Sequence, residues 1–305
     1  MSTKVRAWQF ILLVAAVCAA AVWGVVWYRG RWISTASLLK RLPTQDAVVL
    51  YIDFEQLRQA GILQLLDGSK VGQDPEYDAF VRRTQFDYRQ DLNSAIVAFG
   101  PTGKYLFARG RFDWKSLREY VVAEEGSCYN AFCKVPGSTP DRHISFFPVQ
   151  SNLMAMAVSS DDSAAWRLTE VAAPQPEAPS GAIWISLPPS ILKSRQNLPE
   201  GTHLFAGALE HADSVTISIV GDAKSYSARL NVRCRTPRDA AEIAAQLTKI
   251  TETVRSLIAH EHKTPNPADL SGVLTYGTFR SEGQKVYGYW PIDKSFVENV
   301  FGGAG

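Results

Sequence analysis

The stretch KSYSARLNVRC, residues 224–234, alternates without a break. Tyr226, Ala228, Leu230, Val232 and Cys234 fall on one side of an extended chain, and Ser225, Ser227, Arg229, Asn231 and Arg233 fall on the other. A period of two sustained this long marks a strand in a sheet that is buried on one face and wet on the other. Antiparallel sheets are the kind that tolerate a wet face. The polar side is open to two readings, a solvated sheet face or a surface that binds something.

Working outward, DSVTISIVG precedes this strand, and a long segment from Pro237 to His260 follows it. That segment sets Ala240, Ile243, Ala244, Leu247, Ile250, Val254, Leu257 and Ile258 on one stripe, the pattern of an amphipathic helix. A hairpin, GVLTYGTFR and QKVYGYWPI, and a terminal helix, DKSFVENVF, close the chain. Upstream, GAIWISL reads as a strand, PPSILKS as a short helix opened by proline, and HLFAGALEHA as a further strand.

The earlier half repeats this order. DAVVLYIDF is a strand, residues 55–66 a short helix, and PEYDAFVRRTQFDYRQDL a helix leading into the hairpin LNSAIVAFG and KYLFARGRF. Asp113 caps the next helix, a cysteine-bearing loop intervenes, the hairpin HISFFPV and NLMAMAVS follows, and SSDDS caps a last helix. Between the halves, AAPQPEAPS at residues 172–180 can neither continue a helix nor pair as a central strand. The expected fold is therefore α+β: two related repeats, residues 46–171 and 181–301, joined by a Pro/Ala linker at 172–180, with largely antiparallel sheets covered by helices on one face.

A different physics governs the N-terminus. Ala7 to Tyr28 carries no charge, and at 1.5 Å per residue such a helix spans a hydrocarbon core of about 30 Å. Trp8 stands at one end and Trp23, Trp27 and Tyr28 at the other, where amphipathic rings settle among headgroups, flanked by Lys4, Arg6, Arg29 and Arg31. Residues 1–28 are thus expected to be a short basic tail and a transmembrane anchor, and 29–45 a tether. Ala19 and Ala21 offer a signal-peptide cleavage pattern, but the apolar run continues past them.

Cys128 and Cys133 sit in a polar loop and are expected to form a disulfide, worth about 2 kcal/mol for so short a ring. Such a bridge belongs to an oxidising compartment. Flanking charges favour the opposite orientation, yet large domains cross membranes with little regard for them. The folded domain is expected on the extracytoplasmic side of an inner or plasma membrane. Cys234 ends the opening strand as a small apolar core residue.

Composition and motifs exclude more than they assign. The 305 residues are 46% hydrophobic and 20% charged with a net charge of +2, an ordinary globular balance with no basic run to hold nucleic acid. GPTGK at residues 100–104 has Ala98 where a phosphate loop needs glycine, and Tyr105 where it needs Ser or Thr. Nucleophile-elbow, zinc-helix, calcium-loop and dinucleotide signatures are absent from the sequence. His260 and His262 are separated by about 200° on a helix and cannot share a metal unless the helix has ended. No metal or cofactor is expected.

The densest mixed cluster is FDYRQDL, where Asp87, Arg89 and Asp91 are the weak candidates for acid/base chemistry, against a reading as local ion pairs at a helix end. The expected function is that of a non-catalytic module that meets the bilayer through its N-terminal helix and binds or organises another envelope protein. Two alternatives stand beside it: a membrane-proximal enzyme using those carboxylates, and a carrier of a small ligand or lipid lined by Trp184, Tyr287, Tyr289 and Trp290.

Overall fold

The computed structural model describes residues 33–65, 75–137, 139–170, 178–193, 203–221 and 226–301. The expected span, with Trp8, Trp23, Trp27 and Tyr28, lies outside them. Among the described residues no helix is long and apolar enough to cross a membrane.

The strands, in chain order, are β1 (Val48–Asp53), β2 (Leu92–Gly100), β3 (Gly103–Gly110), β4 (Ser127–Tyr129), β5 (Phe132–Pro136), β6 (His143–Gln150), β7 (Leu153–Ser159), β8 (Ile183–Leu187), β9 (Ser214–Gly221), β10 (Tyr226–Arg233), β11 (Thr278–Glu282) and β12 (Lys285–Ile292). The helices are α1 (Thr35–Leu39), α2 (Phe54–Gln59), α3 (Ile62–Leu65), α4 (Pro75–Thr84), α5 (Tyr88–Asp91), α6 (Trp114–Ala123), α7 (Pro189–Lys193), α8 (His203–Ala208), α9 (Pro237–His260), α10 (Leu270–Thr275) and α11 (Lys294–Phe301). A 3-10 helix covers Ala164–Thr169.

These strands form one twelve-stranded sheet in the order β11-β12-β10-β9-β8-β1-β2-β3-β7-β6-β5-β4. Every neighbouring pair is antiparallel. The α+β class and the antiparallel pairing agree with the sequence. From the central pair outward, β1-β2-β3-β7-β6 runs one way and β8-β9-β10-β12-β11 the other. The two β-rich runs that open the halves meet at the middle of the sheet, with Leu50 opposite Ile185.

In the second half the back of the sheet, which carries Leu230 and Val232, is the buried one. Helix α9 lies over it with Ala240, Ile243, Ala244 and Leu247 facing in. Its start is fixed by Pro237 at the first turn and a capping box in which Thr236 and Asp239 satisfy each other's backbone N–H. The stripe fails near the far end, where Leu257 is exposed because the helix runs past the packed core. Leu57, Ile62 and Leu63 of the α2–α3 region close the back at the centre with Val297 of α11.

The first half departs from the expectation of one covered face. Its back packs on Val121 of α6, and its front is also covered, by Leu38 and Leu39 of α1, Leu42, and Ala164, Ala165 and Leu168 of the 3-10 helix. The physical reason is in the strands. Ile96, Ala98, Ala155 and Ala157 make the front apolar as well, and a sheet apolar on both sides needs two covers. The buried Ser145 hydroxyl is satisfied by the backbone N–H of Ala165, at 3.1 Å.

Five local expectations are corrected. The segment GVLTYGTFR, read as a strand of the closing hairpin, begins inside helix α10, and only Thr278–Glu282 pairs with β12. The segment HLFAGALEHA, read as a strand, contains helix α8, because Phe205, Ala208, Leu209 and Ala212 recur at helical spacing and pack on the second-half core. The helix expected to run through FDYRQDL stops at Thr84. There Gln85 turns left-handed (φ 57°), and the Thr84 hydroxyl donates to the Phe80 carbonyl at 2.8 Å. The SSDDS helix is a 3-10 helix without a side-chain cap, and the cysteine loop is a hairpin, β4–β5.

Candidate functional site

The front of the second half has no helix over it among the described residues, and there the sheet forms the floor of a recess of about 1130 Å³. Antiparallel register sets its side chains in rows across the strands. One row holds Trp184, Ser218, Arg229, Tyr289 and Thr278, and the next Ser186, Thr216, Asn231, Tyr287 and Arg280. A third holds Ser214, Arg233, Lys285 and Glu282. Rows lie about 6.8 Å apart along a strand and columns about 4.8 Å apart across strands. Residues 44–47 and 178–180, with Pro188 and Pro189, border the recess.

Cations outnumber carboxylates here, where Glu282 stands across from Lys285 and Asp46 and Asp213 line the recess. Arg229, Arg233, Arg280 and Lys285 supply four cations, and among the described residues none of them has a carboxylate within ion-pair distance. Asp213 at the rim is engaged by Arg235 instead. The Arg280 guanidinium lies over the Tyr287 ring, 5.2 Å from its centroid, an arrangement that holds the charge in place without neutralising it.

The aromatic residues expected around a cavity divide between the faces. Tyr287 and Tyr289 belong to the floor, Tyr289 with 45% of its surface exposed. Trp184 lines the recess from the same face, buried where the cover of the first half begins and stacked on Tyr51 with centroids 5.5 Å apart. Trp290 points to the back, in the core with Phe205 and Phe279.

The FDYRQDL residues come together, but as a structural tie. Asp87 caps α5, accepting from the Arg89 backbone N–H at 2.9 Å. Its carboxylate also accepts from the Arg89 guanidinium (2.9 Å) and from the Tyr77 hydroxyl (2.8 Å). Burial pushes the Asp87 carboxyl up, yet these donors outweigh it and hold the group below its usual range. Burial and the neighbouring carboxylate drive the Tyr77 hydroxyl strongly upward. Asp91 accepts from the Asp87 N–H at 2.9 Å and pairs with Arg111 at 2.8 Å. A carboxylate so held is a poor proton acceptor near neutrality.

Cys128 and Cys133 face each other across β4–β5 and are bonded, at the edge of the sheet farthest from the recess. Tyr129 projects from that hairpin, 82% exposed. Cys234 is free and buried, and burial raises its thiol. Helix α9 ends at His260, and His262 adopts a left-handed backbone (φ 55°). Among the described residues no three metal-ligating side chains converge.

No family model matches this chain, and no curated protein matches it. The chain is similar to solved structures of TP0453. Crystal form IV covers 90% of this chain and 99% of that one at 11% identity and a TM-score of 0.48. Form I covers 88% and 98% at 11% identity with a TM-score of 0.46, and form III 87% and 97% at 10% identity with 0.47. Likeness this distant says nothing of function, which must be read from the residues of the recess.

Proposed function

We propose that this chain is a membrane-anchored, extracytoplasmic and non-catalytic module, built of two related α+β repeats, that binds or organises another envelope protein. The binding surface is the open front of the second half. One observation carries the reading: a floor of hydroxyls, an amide and cations that have no ion-pair partner among the described residues lies in a recess of about 1130 Å³, while the front of the first half is covered. Polar groups kept out of pairs are free to be satisfied by a partner.

The uncharged stretch from Ala7 to Tyr28 and its aromatic ends support the anchor, and the Cys128–Cys133 bond supports an oxidising compartment. A carboxylate enzyme is less well supported, since Asp87 and Asp91 spend their oxygens on local donors. The carrier reading draws on Tyr287 and Tyr289, but most of the floor is polar and suits a protein surface better than a lipid tail.

A photo-crosslinking residue at Thr216, in the full-length chain in its own membrane, tests this. One protein is expected to be captured in stoichiometric amount, and capture should disappear when Ser186→Trp fills the recess. No adduct at Thr216, or one indifferent to Ser186→Trp, would show that the face is merely solvated.

A further inference from the structure

We infer that the partner presents an acidic, extended segment to this recess, and that Arg229, Arg233, Arg280 and Lys285 take its carboxylates. The inference rests on the reading of that face as the binding surface and names the chemistry it accepts. Four cations with no carboxylate in ion-pair distance share one floor and outnumber the nearby Glu282, Asp46 and Asp213, and such an excess of like charge is relieved when an anion arrives.

Geometry selects the form of that anion. Arg229 and Arg233 stand four residues apart on one strand, about 14 Å, which is the distance between same-side side chains at i and i+4 of an extended segment. Lys285 lies opposite Arg233, so one carboxylate can meet both. Arg280 lies one strand beyond, over Tyr287. Asn231 stands between the two arginines and offers an amide that can both donate and accept along a backbone.

The full-length chain in a zwitterionic detergent is to be mixed with fluorescein-labelled peptides of alternating Glu-Gly, Lys-Gly or Ser-Gly, and anisotropy read at low and moderate salt. Binding of the Glu-Gly peptide alone is expected, weakening as salt rises. Replacing Arg229→Gln, Arg233→Gln and Arg280→Gln together should weaken it at least about tenfold, through the loss of three charge pairs. The same three positions changed to Lys should retain most of the binding, with the unfolding temperature of both variants unchanged.

Equal binding of all three peptides, no binding of the Glu-Gly peptide, or an unaffected triple Gln variant would overturn the inference. So would displacement of the probe by glycerophosphoglycerol at a lower concentration than by unlabelled peptide, which would make the site one for lipid headgroups. A Thr216 crosslink that persists while the acidic peptide fails leaves the binding face standing and removes only its acidic preference. Loss of the crosslink removes both.

Discussion

Asp87 offers the sharpest test of the division between structural tie and reactive site. Changing Asp87→Ala removes the cap of α5, a loss of about 1 kcal/mol. It also strips the Arg89 guanidinium and the Tyr77 hydroxyl of their acceptor, and bonds to a charged group contribute about 1.5–3 kcal/mol. Arg89 keeps some access to water, with 29% of its side chain exposed, so the sum is smaller than its parts. We expect about 3 kcal/mol, or about 6 °C in Tm for a domain of this size. Asp87→Asn, which keeps an acceptor but not the charge, should lose about half as much.

The sign with pH follows from the depressed carboxyl. Its stabilisation is fully present above the unfolded value of about 3.9 and is lost as pH falls through the lower folded value. The gap between the natural chain and Asp87→Asn, measured by thermal unfolding from pH 7 to pH 3, should therefore be constant down to about pH 4 and then close. An unchanged Tm for Asp87→Ala, or a gap indifferent to acid, would refute the argument and return Asp87 to the list of groups held ready for chemistry.

Two further outcomes follow from geometry. Cys128→Ser with Cys133→Ser should cost about 2 kcal/mol on the chain-entropy account, read as a lower unfolding midpoint in denaturant. The Thr216 crosslink should be untouched, because the bridge lies at the opposite end of the sheet. Gly103→Ala should destabilise by roughly 2–3 kcal/mol, since its φ is 151° and a Cβ would sit 2.5 Å from the Val158 carbonyl oxygen of β7; a neutral effect would show that β3 and β7 can move apart there.

Strands were the legible part of this sequence, and their companions were less so. Tyr226 to Arg233 declares its two faces residue by residue, and the stripe on α9 declares its core side as far as Thr251. The run LMAMAVS of β7 carries a different message, apolar on both sides, and only that could have announced the second cover on the first half. Helix α8 was obscured because six residues hold too few turns for a helical period to stand out against an apolar run. The recess itself could not be read along the chain. Arg229, Arg280 and Lys285 become neighbours only through the register of three strands, and register is a property of turns and pairing, not of any one segment.

The place of β1 and β8 at the middle of the sheet has a consequence for how the chain is made. β1 ends at Asp53 and its outer partner β8 ends at Leu187, so 187 − 53 = 134 residues of synthesis separate them. At ribosomal speeds of about 5–20 residues per second, β1 waits roughly 7–27 s with one side unpaired. Throughout that interval the nascent first half presents a six-residue edge, VVLYID, apolar up to its closing Asp53 and of the kind that recruits another copy. A chain that stalls before Ile183 keeps that edge open for good, whereas one that continues closes it with its own second half.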